Sequence, residues 1–381
     1  MPFVKRVLSW FSAQERFLVV YAERERLTTF RFALNRERVL TSEQIEEHPR
    51  PVRERRKGTP AFPGPVIVAA GFPLAAIVVL PVHVERDNPK EPVVAVELEN
   101  ALAHTVGKAF TQSRKEASEL FNIDELDVML VGSAVGQFSV EGHRVVNPLG
   151  FAGKIVSAVL ELTLTSREVL DDLYRLVGRR DFFFTHLGRA GMRGLERTWK
   201  KPFAFVEADK AGSWAVFPGA QSESPSFAQV ALSWSPLSFL SSVERAWGIP
   251  RAAARRVYAA YREGRTSPRV HAFLGRLFGS DLDALRAQLA LQKSPPRVCI
   301  LSSAPFPAPF PFKKGNYTFT EPPLDQMLQN IGVAFRRGTG RTSSEWFVPI
   351  APLVEWYADK SDSTINHWLR RHLNWLGASR G

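Results

Sequence analysis

Residues 64–84 read GPVIVAAGFPLAAIVVLPVHV, a run with no Asp, Glu, Lys or Arg and about as long as a membrane span. What this run becomes decides the fold. Gly71 and Pro73 interrupt it midway and Pro81 closes its second half, and a spanning helix broken so often leaves backbone groups unsatisfied in lipid. Each half is short and rich in Val and Ile, as expected of strands buried on both faces. The run therefore predicts two core strands, at 66–70 and 75–80, joined by a tight turn at Gly71, Phe72 and Pro73.

Outward from this pair, residues 17–21 (FLVVY) and 27–34 (LTTFRFAL) read as paired strands, whereas 41–60 (TSEQIEEHPRPVRERRKGTP) is so polar and charged that it reads as a solvated loop. Downstream, Leu98, Leu102, Val106 and Phe110 recur at helical spacing within a helix expected at 97–121. Strands are expected at 127–131, 134–140, 144–146 and 154–165, then a helix at 167–176. The second half repeats the order: strands at 203–206, 214–217 and 227–233, then helices at 237–247 and 250–263 and further helical segments to about residue 291. A buried strand at 298–301 and a last helix at 346–357, carrying Pro349 and Pro352, complete the pattern. Two similarly ordered α/β halves predict a duplicated, two-lobed protein.

The chain has 381 residues, 45% of them hydrophobic, enough for two or three domains at roughly 100–200 residues each and too many for disorder. Its one cysteine, Cys299, excludes a disulfide framework and a cysteine metal cluster and suits a reducing cytoplasm; within its strand it reads as a small core residue. Fifty Lys and Arg against 38 Asp and Glu give a net charge of +12, which favours an anionic partner, nucleic acid or the inner membrane leaflet. The basic runs at 53–57 (RERRK) and 251–256 (RAAARR) lack interleaved aromatics or a nucleic-acid motif, so they read as solvated faces and nucleic acid is disfavoured. Residues 150–155 (GFAGKI) are no phosphate loop, since the glycines stand too close and Ile occupies the Ser/Thr position. The eight histidines show no metal-ligand spacing; His83, His104, His143 and His186 are scattered and read as surface or satisfied polar residues. No Gly-x-Ser-x-Gly elbow is present.

Both ends of the chain read as amphipathic helices. Within residues 1–16, Phe3, Val4, Val7, Leu8, Trp10 and Phe11 share an arc of about 160°, with Lys5 and Arg6 outside it and no secretory signal pattern. In 364–376 (TINHWLRRHLNWL), Ile365, Trp368, Leu369, Leu373, Trp375 and Leu376 again share about 160°. Arg370 and Arg371 flank that arc, Asn366, His367 and Asn374 lie opposite, and a polar tether (DKSDS, 359–363) precedes it. Tryptophans in an apolar face edged by arginines describe a helix lying in a membrane interface. The alternative is a helix docked on the protein's own core.

Residues 147–150 (NPLG), within GHRVVNPLGFAGKIVSAVLELTLTS at 142–166, resemble the small inserted subdomain of the bacterial actin homologue FtsA, where an Asn-Pro-x-Gly turn lies between a short strand and a long one. The other elements follow in matching order. The resemblance implies an α/β, two-lobed actin-like fold, a duplicated ribonuclease H-like architecture with a small inserted α+β subdomain. Its parts would be an N-terminal helix at 1–16, a first lobe at 17–84 and 166–200, the insertion at 85–165, a second lobe at 201–358 with a helical part at about 236–291, and a tether with amphipathic helix at 359–381.

Actin-like ATPases cradle phosphates with two Asp-x-Gly loops, one per lobe, and border the adenosine with a Gly-Gly loop; glycine lets backbone N–H groups approach phosphate oxygens. By resemblance the first loop falls at 21–25 (YAERE), the second at 207–213 (EADKAGS) and the third at 301–304 (LSSA). Glu207, Gly212, Ser213, Ser302 and Ser303 are the residues left to meet a nucleotide, but Glu23, Asp209 and Lys210 stand where small residues belong. A carboxylate beside a triphosphate is repelled unless a metal screens it. The resemblance thus implies a cell-division scaffold that holds filaments to the cytoplasmic face of the inner membrane without hydrolysing ATP, with no cofactor or else ATP with Mg²⁺. Its partners would be anionic lipids, other division proteins and copies of itself. Arg251, Arg255 and Arg256 would meet the acidic tail of a tubulin-like division protein. Two alternatives stay open: the actin-like platform protein of a type IV pilus system, and an active actin-like ATPase.

Overall fold

The computed structural model describes residues 14–53, 62–178, 180–209, 212–218, 228–336, 342–359 and residue 366. The helix expected at 1–16 lies almost wholly outside them, as does that at 364–376 apart from Asn366. The chain opens with three strands, β1 (Gln14–Ala22), β2 (Arg26–Asn35) and β3 (Val39–Pro49), each antiparallel to the next. β4 (Val66–Ala70) lies parallel to β1. Its five residues are all buried, which is why a run with no polar residue suits this place. β5 (Ala75–Glu85) leaves that sheet.

The helix α1 (Ala95–Phe121), then β6 (Val128–Val140), β7 (His143–Arg144) and β8 (Ile155–Ser166), complete an excursion in which β5, β8, β6 and β7 form one antiparallel sheet. α1 lays Leu98, Leu102, Val106 and Phe110 on this sheet. α2 (Arg167–Val177) returns the chain to β9 (Phe183–His186), parallel to β4, and α3 (Leu187–Glu196) follows. The second half runs β10 (Ala204–Asp209), β11 (Gly212–Phe217), β12 (Ala228–Leu232), then α4 (Leu237–Trp247), α5 (Arg251–Arg262) and α6 (Pro268–Leu291). It continues with β13 (Arg297–Ser302), β14 (Phe312–Lys314), β15 (Tyr317–Thr320), α7 (Leu324–Gln329), β16 (Ala334–Arg336) and α8 (Ser343–Asp359).

The two large sheets have the orders β16-β3-β2-β1-β4-β9 and β12-β11-β10-β13-β15-β14. Within each, three antiparallel strands lead and two parallel ones follow, so that the order third-second-first-fourth-fifth occurs twice. This repeat makes the protein an α/β, two-lobed, duplicated fold. One core spans the lobes: Phe17, Val19 and Phe32 of the first meet Phe205 and Cys299 of the second through Trp346, Phe347 and Ile350 of α8.

Three expectations need correction. Part of the loop expected at 41–60 is the strand β3, where only Leu40 and His48 are buried. Its charged side chains stay in water while its backbone pairs with β2, so polarity there marks a strand with one wet face and not a loop. The strands expected at 127–131 and 134–140 are one strand, β6, whose pairing shifts register between Leu130 and Gly132; a glycine at such a place marks a bulge and not an end. His186 is neither at the surface nor fully satisfied. It is buried, its Nδ1 accepts the Gly188 N–H at 2.9 Å to cap α3, and its Nε2 has no partner among the described residues. Burial and the nearby Arg189 lower its pKa to about 3, so the ring is neutral.

Candidate functional site

The parallel strands of both sheets aim their C-terminal ends at one cleft between the lobes, the place where open α/β sheets hold ligands. The end of β1 brings Tyr21, the end of β10 brings Glu207, and the turn after β4 brings Gly71 and Phe72. The Tyr21 hydroxyl donates to Glu207 Oε1 at 3.4 Å. Gly71 packs so closely on this acid that a Cβ at that position would lie 2.0 Å from Glu207 Oε1. Beside it the Phe72 ring lies on Trp214 of β11, with centroids 3.6 Å apart and planes tilted by 36°. A further link runs from the Ile77 N–H of β5 to Gln229 Oε1 of β12 at 3.3 Å.

Electrostatics follow from this closure. Burial, and after it the charge of Asp209, raises the Glu207 pKa to about 8, against the opposing pull of Tyr21 and of the Phe72 backbone amide. Glu207 is therefore largely a neutral acid at pH 7. Burial and the same carboxylate push the Tyr21 phenol well above its ordinary range. Glu207 Oε2 and the Ser213 hydroxyl are buried without a partner among the described residues.

The five residues aligned with nucleotide loops do gather here. Glu207 and Ser213 sit on neighbouring strands, with Ser213 opposite Ala208 and Gly212 opposite Asp209. Ser302 lies opposite Ala208 across the parallel β10–β13 pair, and the Ser303 N–H donates to the Ala208 carbonyl at 2.9 Å. Ser302 is already occupied, its hydroxyl donating to the Ala304 carbonyl at 2.6 Å and accepting the Ala304 N–H at 3.2 Å. The Arg26 guanidinium holds Glu23, in the first loop, through a short charged hydrogen bond.

A triphosphate with Mg²⁺ does not fit this set. The first loop offers Glu23 and Glu25 in place of glycine amides, and the cleft is spanned by Gly71, Phe72, Glu207 and Trp214. An acid that burial keeps protonated is also a poor metal ligand. Among the described residues no cluster of three His, Cys, Asp or Glu could hold a metal.

The other expected site residues lie elsewhere. On α5, Arg251 is engaged, its Nη1 donating to Ser241 Oγ at 3.1 Å and to Glu244 at 2.9 Å. Arg255 and Arg256 are exposed on the same helix. Ile365, Trp368, Leu369, Arg370, Arg371, Leu373, Trp375 and Leu376 lie outside the described residues. Asn366 between them is described, helical and 5% exposed. Its Oδ1 accepts the Val135 N–H at 2.7 Å and its Nδ2 donates to the Val135 carbonyl at 3.0 Å. Sequence set Asn366 on the outward side of its helix; the structure buries it against β6. Phe72 and Trp214 escaped sequence reasoning, because each satisfies a local role, in a turn and in a strand, that hides the contact between them.

The strand order and the cleft define the class: an actin-like, two-lobed fold whose phosphate loops have been rebuilt. No family model matches the chain, and no curated protein does either. Among solved structures, a PilM–PilN type IV pilus biogenesis complex aligns over 91% of this chain and 98% of its own at 14% identity and a TM-score of 0.45. A protein from Bacteroides thetaiotaomicron with an actin-like ATPase fold aligns over 90% and 96% at 6% identity, TM-score 0.37. The cytoplasmic domain of EpsL, from the type II secretion system of Vibrio cholerae, aligns over 92% and 98% at 11% identity, TM-score 0.29. Among the described residues no helix is long and apolar enough to cross a membrane.

Proposed function

We propose that this chain is a non-hydrolysing actin-like scaffold at the cytoplasmic face of the inner membrane, working through protein contacts and its tail. The observation that carries the proposal is the spanned cleft, in which Gly71 and Phe72 rest on Glu207 and Trp214 where a nucleotide would have to enter. Titration of the full chain with Mg-ATP in a calorimeter tests it. The expected outcome is no saturating heat up to millimolar nucleotide, and saturation at micromolar ATP overturns the proposal.

Of the systems such a scaffold could serve, the platform of a type IV pilus assembly machine is favoured by Asn366, because that reading has the tail helix docked on its own protein. The second reading, an anchor for division filaments, draws support from the exposed Arg255 and Arg256 on α5, a cationic face suited to an acidic tail. It requires that Arg255→Glu with Arg256→Glu abolish binding of an acidic peptide at low salt.

A further inference from the structure

β6 pairs with β8 along one side, while its other side pairs with β7 only at Ser139 and Val140. Between residues 128 and 138 that outer side has no neighbouring strand among the described residues, so its backbone groups need another partner. Register shifts between Leu130 and Gly132, and between Gly136 and Ser139, interrupt the strand on both sides of Val135. Gln137 sits in the left-handed region at φ 53°. Bulges twist an edge away from further pairing, so the straight piece between them is too short to dock a whole strand. It suits a single side-chain amide, which offers the same donor and acceptor as a peptide group. Asn366 supplies that amide, and its two hydrogen bonds with Val135 copy the exchange made by a neighbouring strand.

The route to this site is short. α8 ends at Asp359, and one turn earlier its Glu355 bonds Thr185 at 2.5 Å and Arg189 at 3.2 Å. Arg189 also holds Glu161 at 3.1 Å, and Glu161 pairs with Ala134, the neighbour of Val135. The tail thus leaves α8 beside the strand it must reach, and so short a link makes docking within one chain effectively concentrated.

We infer that the chain's own C-terminal segment is the resident ligand of the β6 edge, and that its docking withholds the tail from lipid. The inference rests on the membrane role proposed above. At about 100° per residue, a helix that turns Asn366 inward turns Leu369, Arg370 and Leu373 inward with it, all within about 60°. Those three belong to the face that would meet a membrane. Trp368 lies about 160° away, on the outer side. Docked and lipid-bound states therefore compete for the same residues.

The test uses the full chain and vesicles of phosphatidylglycerol and phosphatidylethanolamine, with hydrogen exchange at the Val135 amide as the second readout. Asn366→Ala is expected to speed exchange at Val135 and to raise vesicle affinity about tenfold, the loss of two neutral hydrogen bonds. Trp368→Ala is expected to lower vesicle binding and leave Val135 protected. Unchanged exchange at Val135 in Asn366→Ala overturns the docking. Faster exchange with unchanged or weaker vesicle binding overturns the competition. If neither wild type nor Asn366→Ala binds vesicles while Val135 loses protection, the membrane role falls and the competition with it, and the docked tail stands.

Discussion

Glu207 keeps its proton because the cleft gives it no water and surrounds it with other acids, Asp209 and Glu23. An acid whose pKa rises on folding binds its proton more tightly in the native state, so its burden on stability is absent at low pH and grows as pH climbs from about 4.5 to about 8. Glu207→Gln removes the titration and keeps the shape. Its melting temperature, compared with wild type, is expected to gain several degrees between pH 5 and pH 8.5, and a gap independent of pH would show that the acid does not hold its proton. Gly71→Ala drives a methyl into Glu207 Oε1 and is expected to cost about 1–3 kcal/mol in urea unfolding, as overpacking does; adding Glu207→Ala should recover part of that loss. Sequence reached this site only halfway. Glu207 is an acid where glycines are expected and could be singled out, but its neutrality follows from Tyr21, Gly71 and Phe72, which arrive from the other lobe.

At the scale of single elements, legibility followed burial. β4 and α4 fall where their patterns put them, because one period of apolar residues decides each. β3 did not, since a strand that buries two of its eleven residues carries almost no apolar signal and is specified by its partner β2. β9, of four residues, and α3 went unread for a similar reason: Gly188, Gly191 and Gly194 weaken the helical signal yet are needed where α3 packs tightly on Val216, Phe205 and Met327. The end of β3 is fixed to α2 by a buried ion pair. Arg50 Nε donates to Asp172 at 2.9 Å, and the Val52 N–H donates to the other carboxylate oxygen at 2.8 Å. Both side chains are almost fully enclosed, at 4% and 1% exposure, so Asp172→Ala strands a charged guanidinium and should cost about 3–5 kcal/mol in chemical unfolding.

For the molecule as a whole, the duplication was visible because both halves repeat strand, strand, strand before their helices, an order that survives loss of the loop residues. Less visible was the way the lobes join, since the cleft and the core around α8 are built from residues distant in sequence. Hinge closure on a nucleotide should be missing here: the radius of gyration from small-angle scattering is expected not to change with Mg-ATP, and a contraction would place the nucleotide back in the cleft.

Phe72 on Trp214 has one more consequence. An actin-like lobe pair ordinarily works as a jaw, storing the difference between open and closed in a bound fuel. With an aromatic wedge cemented into the jaw, the two halves become a strut of fixed length, so that force applied to one outer face is delivered undiminished to the other.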